Sequence, residues 1–461
     1  MLIFLSIKNY YQLINNKIEF NNSKLIIIII NYRISALKEI IRSIKGMHDY
    51  IPDDVITWQY IEYIVKRILK NYCYNEIRFP LIEKTSLFAH SIGNITDIIE
   101  KEMYSFKDKK NKKITLRPEG TIGCMRACIN KGLLRTSKQK LWYLGPMFRY
   151  ERPQHGRYRQ FHQFGIEVLG MSGPDIDLEI ILLVERILRT LNISNYVQLE
   201  LNSIGSYESR LHYKKILFSY FKQYEACLDE DCKRRLYVNP LRILDSKDKN
   251  IKAIINNAPI LMDFIDDNSL IHFENLCKLM KNIGISYVVN YKLVRGLDYY
   301  NKTVFEWKTN LLGAKDAICA GGRYDNLSKS LGVTFIPAIG CAIGMERLVL
   351  LIKSLKLKPK TNNAIDVFII FLKDNIQIEA IKLSELVRTQ FPKKKIMLSI
   401  LSSNLRKQFS TANKIKARIV LLLGPNEVKN NLILLKDLTS GYQKSFLKNK
   451  IIEELELAFK N

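Results

Sequence analysis

The chain lacks any metal-ligand pattern. Eight cysteines are spread over 461 residues, with Cys124 and Cys128 four apart and Cys227 and Cys232 five apart. Neither they nor the six histidines form a CxxC or HxxxH pair, which argues against structural zinc. Thiols in such a pattern are expected to stay reduced, as in a cytoplasm. No GxxxxGK[ST] phosphate loop occurs, so the commonest nucleotide cradle is excluded. Long apolar runs are also missing. The branched aliphatics from Leu25 to Ile30 number six, far short of the roughly 20 residues that span a bilayer, so no membrane partner is expected. Acid is scarce: 45 Asp+Glu stand against 72 Lys+Arg, a net charge of +27.

A surplus of that size favours polyanionic partners. The chain is also rich in Lys, Asn, Ile, Tyr and Phe, residues of A/T-rich codons, so charge alone does not decide the matter. A hydrophobic fraction of 47% and a charged fraction of 25% are globular values. They exclude a disordered chain, a collagenous repeat and a small disulfide-stapled scaffold. The length allows about three domains.

Residues 1–42 read as an N-terminal extension of unknown role, an extra strand or sequence upstream of the true start. They lack the basic region and cleavage site of a targeting signal. From Asp54 to Lys70 apolar residues recur at helical spacing (Val55, Trp58, Ile61, Ile64, Val65, Ile68, Leu69). Glu76 to Ile82 reads as a strand interrupted by Pro80. Two strands joined by a basic loop are expected between Leu141 and Gly170. The stretch from about 208 to 285 is helical in pattern and reads as an insertion. Strand signals return from Tyr287 to Thr309 and around Ala317 to Gly322, and a last strand runs into a helix from Ile339 to about Leu355. Residues 356–363 form a polar, proline-containing linker. Beyond it, 364–461 show the alternation of a small α/β domain, with 17 Lys+Arg against 9 Asp+Glu.

Period-two alternation sorts the second strand of the hairpin. His162, Phe164, Ile166 and Val168 fall on one face, and Phe161, Gln163, Gly165 and Glu167 on the other. The second face sets an aromatic, an amide and a carboxylate at two-residue steps. Arg149 ends the preceding strand, and Arg347 falls in the first turn of a helix, where backbone amides favour an anion. With Arg295, these arginines suit a polyphosphate held in a bent shape.

Leu116-Arg-Pro-Glu-Gly-Thr121, Phe148-Arg-Tyr-Glu-Arg-Pro-Gln154, Gly156-Arg-Tyr-Arg-Gln-Phe-His-Gln163 and Arg295-Gly-Leu-Asp-Tyr-Tyr300 together resemble the class II aminoacyl-tRNA synthetases, and within them the bacterial type of the histidyl-tRNA synthetase family. The resemblance runs from about Ile44 to the C-terminus. It implies an α+β catalytic domain over 43–355, built on an antiparallel sheet flanked by helices, with the helical insertion at about 208–285. A C-terminal α/β anticodon-binding domain would follow. The activity implied is ATP-dependent ligation of L-histidine to histidine tRNA through a histidyl-adenylate, in a cytoplasmic homodimer whose dimer-forming motif includes the first helix and the Pro80 strand.

The resemblance also implies roles. Arg149 would hold the α-phosphate of ATP and Arg347 the γ-phosphate, with Phe161 stacked on adenine. Arg295 would be the extra cation at the reacting phosphate, and Mg²⁺ would bridge the outer phosphates. Glu119, Gly120, Thr121 and Gln163 would surround the α-ammonium of histidine. Glu167 and Tyr300 would bind the imidazole nitrogens beside Tyr299. Arg152 and Gln154 would meet the acceptor end of the tRNA. Two features depart from the family: Leu398-Ser-Ile-Leu-Ser-Ser-Asn404 lacks the glycines commonly found there, and the N-terminal extension has no counterpart. The competing function is a non-enzymatic histidine sensor, the synthetase-like regulatory subunit of ATP phosphoribosyltransferase. That branch lacks the anticodon-binding domain and has an eroded histidine and ATP site.

Overall fold

The computed structural model describes residues 41–460 except 93–97, 136–137, 245, 247, 249, 314–316, 358–364 and 400–403. The expectations for the extension 1–42 and the linker 356–363 therefore lie almost wholly outside the described residues, as does the middle of the glycine-free stretch before Leu405. The chain divides into two compact units, meeting between Lys358 and Pro359.

The first unit is organised by an eight-stranded sheet. Its order is Asn75–Glu76, Gln139–Phe148, Gln160–Leu169, Ala338–Gly344, Ala317–Arg323, Asn301–Lys308, Gln198–Ser203 and Val288–Val289. The six inner strands are antiparallel throughout, and the two-residue outer strands pair parallel to them. One face is covered by helices Pro52–Asn71, Pro174–Thr190, Asp267–Ile283 and Met345–Ser354. Each contributes an apolar stripe to one continuous core, as in Trp58, Ile61, Val65 and Leu69 of the first. That helix begins with Pro52 at its first turn followed by Asp53 and Asp54, which match the positive end of the helix dipole. Helix Asp267–Ile283 is capped by the Asp266 carboxylate at Ser269 N and ended by Gly284 at φ 77°.

Phe164, Ile166 and Val168 enter this core as alternation predicts. The opposite face of the strand is left for the site. Two strand expectations change. The segment with Pro80 splits: Asn75–Glu76 joins the large sheet, whereas Ile82–Lys84 joins a separate three-stranded sheet with Lys113–Leu116 and Ser105–Lys107. Proline has no N–H to continue a ladder. Between Val288–Val289 and Asn301–Lys308, residues 290–300 form no strand. The carbonyls of Leu293, Gly296 and Asp298 are met by side chains instead of by a neighbouring strand.

The sheet is fastened to its helices by a buried ionic cluster. Fully buried Arg323 donates to Asp177 Oδ2 at 3.1 Å, Asp325 Oδ1 at 3.2 Å and the Gly173 carbonyl at 2.7 Å. His272 Nε2 lies 2.7 Å from Asp177 Oδ2. A buried guanidinium is tolerated only when its donors are met in this way.

The second unit holds a five-stranded sheet in the order Ile396–Leu398, Val367–Phe371, Ile419–Leu423, Leu432–Asp437 and Gln443–Leu447. The first three strands are parallel and the last two form an antiparallel hairpin. Both faces of Val367–Phe371 and Ile419–Leu423 are buried, which explains their unbroken apolar sequence.

Candidate active site

Gln139–Phe148 and Gln160–Leu169 pair antiparallel with Tyr143 opposite Gly165 and Gly145 opposite Gln163. Next along the sheet, Gly165 lies opposite Ala342, Ala342 opposite Ala320, and Ala320 opposite Glu306. Small residues in a row make a floor from which only selected side chains rise. Above it opens a cleft of about 370 Å³. Glu119, Thr121, Arg149, Phe161, Gln163, Arg295, Tyr299, Tyr300 and Arg347 all line it. Glu167 lies directly behind Thr121 and Tyr143 and is 1% exposed. Gly120 lies between Glu119 and Thr121 at the helix start. Arg152 and Gln154 are not part of this cleft; both are exposed on the connecting loop.

The acidic end of the cleft is a hydrogen-bonded carboxylate–phenol cluster. Glu167 accepts from Thr121 Oγ1 at 2.9 Å and Tyr143 Oη at 3.0 Å, and its other oxygen accepts from Tyr324 Oη. Burial pushes Glu167 up to about 8, although these hydroxyls pull the other way. Glu119 caps the helix Thr121–Asn130, accepting from Thr121 N at 2.9 Å and Ile122 N at 2.8 Å. It also accepts from Tyr299 Oη at 3.3 Å. Tyr299 and Tyr300 stack obliquely, with centroids 4.6 Å apart, and Tyr324 meets Tyr299 edge-on at 5.8 Å. Burial raises all four phenols, Tyr300 to about 12, so they stand as neutral donors.

Glycine makes room for this cluster. A Cβ on Gly165 would sit 1.9 Å from Tyr143 Cζ, and one on Gly120 would sit 2.2 Å from Tyr143 Cε2. At Gly340 it would lie 1.8 Å from Glu167 Oε2.

The basic end holds three arginines from three different segments. Arg149 donates through Nε to the Pro118 carbonyl at 2.8 Å and lies 5.2 Å over the Phe161 ring. Burial works against its charge. Arg347 donates to the Gly156 carbonyl at 3.1 Å and to the Ala317 carbonyl. Arg295 pairs with Glu306, whose second oxygen is 3.4 Å from Lys308 Nζ. Burial, the largest single influence, opposes the Arg295 charge, but Glu306 together with Tyr300 and Tyr299 outweighs it and raises the guanidinium. The Arg295 Nε is buried with no acceptor among the described residues. A donor left unmet in a cleft is one that an incoming oxygen can meet.

Glu346, in the first turn of helix Met345–Ser354, ties that helix to the strand Gln160–Leu169 and to Tyr50. It accepts from His162 N at 2.9 Å, contacts His162 Nδ1 at 3.0 Å and accepts from Tyr50 Oη at 3.2 Å. Sequence reasoning did not assign Tyr143, Tyr324, Glu306 or Glu346. Tyr143 and Tyr324 were reachable, one from its period-two position with Leu141 and Met147, the other from its place in the Gly-Gly-Arg-Tyr-Asp motif. Glu306 and Glu346 required strand register and a contact across 184 residues.

An antiparallel sheet with arginines reaching into its cleft, in place of a phosphate-cradling loop, is the architecture of the class II aminoacyl-tRNA synthetases. The chain belongs to the histidyl-tRNA synthetase family. Residues 46–348 match the family described as Histidyl-tRNA synthetase, and residues 366–456 match the Anticodon binding domain. The Histidine--tRNA ligase of Buchnera aphidicola subsp. Schizaphis graminum is 52% identical over 419 residues, covering 91% of this chain and 98% of that protein. The apo histidyl-tRNA synthetase structure from S. aureus aligns with a TM-score of 0.76 at 32% identity, over 90% of this chain and all (100%) of that one. The histidyl-tRNA synthetase from Nostoc sp. PCC 7120 shares the fold, with a TM-score of 0.64 at 18% identity over 91% of this chain and 99% of that one. The match at 366–456 weighs against the sensor reading, whose branch lacks that domain.

Proposed function

We propose that the protein ligates L-histidine to histidine tRNA through a histidyl-adenylate. The observation that carries this reading is a single cleft joining a carboxylate–phenol pocket to three arginines. In the first step the histidine carboxylate attacks the α-phosphate of ATP in line, and diphosphate leaves. In the second a terminal ribose hydroxyl of the tRNA attacks the adenylate carbonyl, the ester forms, and AMP departs with the electron pair of the broken bond. No protein nucleophile is required; positioning and charge stabilisation carry the rate.

Arg149 and Arg347 hold the α- and γ-phosphates, and Arg295 meets the α-phosphate oxygen with the Nε that has no acceptor among the described residues. Phe161 stacks on adenine. Glu119, Thr121 and Gln163, beside Gly120, receive the α-ammonium, while Glu167 and Tyr300 bind the imidazole nitrogens beside Tyr299. A pocket that satisfies both nitrogens rejects side chains that lack them, because its own buried polar groups would be left unpaired. Mg²⁺ would arrive with the nucleotide, held mainly by phosphate oxygens whose charge it would neutralise; Glu306, the carboxylate nearest Arg295, is already paired with Arg295 and Lys308. The tRNA acceptor end meets Arg152 and Gln154, and the C-terminal unit reads the anticodon. The division into a catalytic domain over 43–355 with its insertion, a linker and an anticodon-binding domain over 364–461 belongs to the same reading. So do the cytoplasmic location and a homodimer formed through Pro52–Asn71 and the Pro80 segment. Among the described residues no helix is long and apolar enough to cross a membrane.

The test is amino-acid-dependent ATP–diphosphate exchange across all twenty amino acids with Mg²⁺. Exchange with histidine alone is expected. A folded protein that binds histidine yet catalyses no exchange would overturn the enzyme reading in favour of the sensor.

A further inference from the structure

The segment 290–300 carries Arg295, Tyr299 and Tyr300 into the cleft, yet it has no strand or helix of its own. Its shape is set from two sides. On the sheet side, Asn290 Nδ2 donates to Glu200 Oε2 at 2.6 Å, Asn202 Nδ2 donates to the Leu293 carbonyl at 3.1 Å, and Arg295 pairs with Glu306. The other side is the helical insertion. Arg242, in the turn Pro240–Ile243, donates to the Gly296 carbonyl at 3.2 Å. Arg210, in helix Tyr207–Lys222, donates to the Asp298 carbonyl at 3.2 Å. Asn239 Nδ2 reaches Asp298 Oδ1 at 3.5 Å.

We infer that Arg210 and Arg242 are positioning residues that make the insertion a clamp on the histidine-binding loop. The inference rests on the function proposed above. Gly296 and Asp298 lie on either side of Leu297, so the two guanidiniums fix the turn that follows Arg295 and precedes Tyr299. Without them, the loop beyond Arg295 keeps its buried apolar packing, the long Asn239 contact to Asp298 and the Tyr299 hydrogen bond to Glu119, but loses the two backbone anchors of its turn. The tyrosines would then be less firmly spaced from Glu119 and Glu167. Arg149 and Arg347 are fastened elsewhere, to the Pro118, Gly156 and Ala317 carbonyls. Release of the clamp therefore acts on histidine and on the reacting phosphate, and leaves the grip on the rest of ATP in place.

The test compares the full-length parent with Arg242→Ala, Arg242→Lys and the double variant Arg210→Ala/Arg242→Ala in histidine-dependent exchange. Lys222→Ala is the control, because Lys222 ends the helix of Arg210 and, among the described residues, pairs within the insertion with Glu225 and Tyr237. Each lost hydrogen bond is worth about a factor of five to ten. The double variant is therefore expected to lose about tenfold or more in kcat and to raise KM for histidine about fivefold. KM for ATP should move less than about twofold, and the lysine variant should recover part of the loss. Amide hydrogen exchange over 293–300 is expected to quicken in the double variant and to remain unchanged in Lys222→Ala. An equal rise in both KM values, or parent-like kinetics with parent-like protection of the loop, overturns the clamp. If the parent itself shows no histidine-dependent exchange, the functional reading fails, and unchanged loop protection would then overturn the clamp separately.

Discussion

Tyr143 donates its hydroxyl to Glu167 at 3.0 Å from the neighbouring strand, across the backbone of Gly165. The pair brings a phenol and a carboxylate together on the floor of the cleft at a point where neither touches solvent. Removing that hydroxyl by Tyr143→Phe keeps the ring and its packing against Phe79, whose centroid lies 5.0 Å away. The lost hydrogen bond should cost about 1–2 kcal/mol. It should appear as a roughly tenfold higher KM for histidine in diphosphate exchange, with a fall in unfolding stability of that same size.

Gly165→Ala tests the space that Tyr143 needs. The added Cβ would lie 1.9 Å from the Cζ of the buried Tyr143 ring. Overpacking of this kind typically costs about 1–3 kcal/mol. A lower midpoint in denaturant unfolding and loss of exchange are both expected; a fully active, equally stable variant would show that the ring can move.

Glu167 predicts a pH dependence of stability. Its carboxyl is raised by burial from 4.5 to about 8, so between those values the folded state keeps a proton that the unfolded chain has released. The favourable contribution is complete below pH 4.5 and declines as pH rises towards about 8, by at most about 1.4 kcal/mol per pH unit. Glu167→Gln cannot lose that proton. Urea unfolding of the ligand-free protein should show the variant gaining on the parent as pH rises through this window, and parallel profiles would contradict it.

The arginines separate the two chemical steps. Arg295→Ala should lower histidine-dependent exchange by about two to three orders of magnitude while tRNA binding stays near the parent value. Arg152→Ala, on the exposed loop, should spare exchange and slow transfer to tRNA. Equal exchange in the Arg295 variant and the parent would remove Arg295 from the reacting phosphate.

Most of this site could be read before any coordinate. Alternation along Phe161, Gln163, Gly165 and Glu167 sorted the strand faces, because successive side chains in a strand must point to opposite sides. The helical stripe of Trp58, Ile61, Val65 and Leu69 announced its buried side by the same kind of periodicity. These are local rules, and local sequence suffices for them. Motif order then placed the arginines in one family.

Other features had no local signature. That Glu167 is shared by Thr121, Tyr143 and Tyr324 depends on three segments meeting in register. The Glu346 contact to His162 spans 184 residues, and the hold of Arg242 on Gly296 spans 54. The loop 290–300 read as strand because its composition favours one; tertiary contacts supplied other partners for its carbonyls. The sequence by itself determined how side chains alternate along the strands and helices and which family's motifs they resemble. The tertiary structure alone decided who holds them there, because a hydrogen bond between distant segments is specified by the packed fold and by no spacing along the chain.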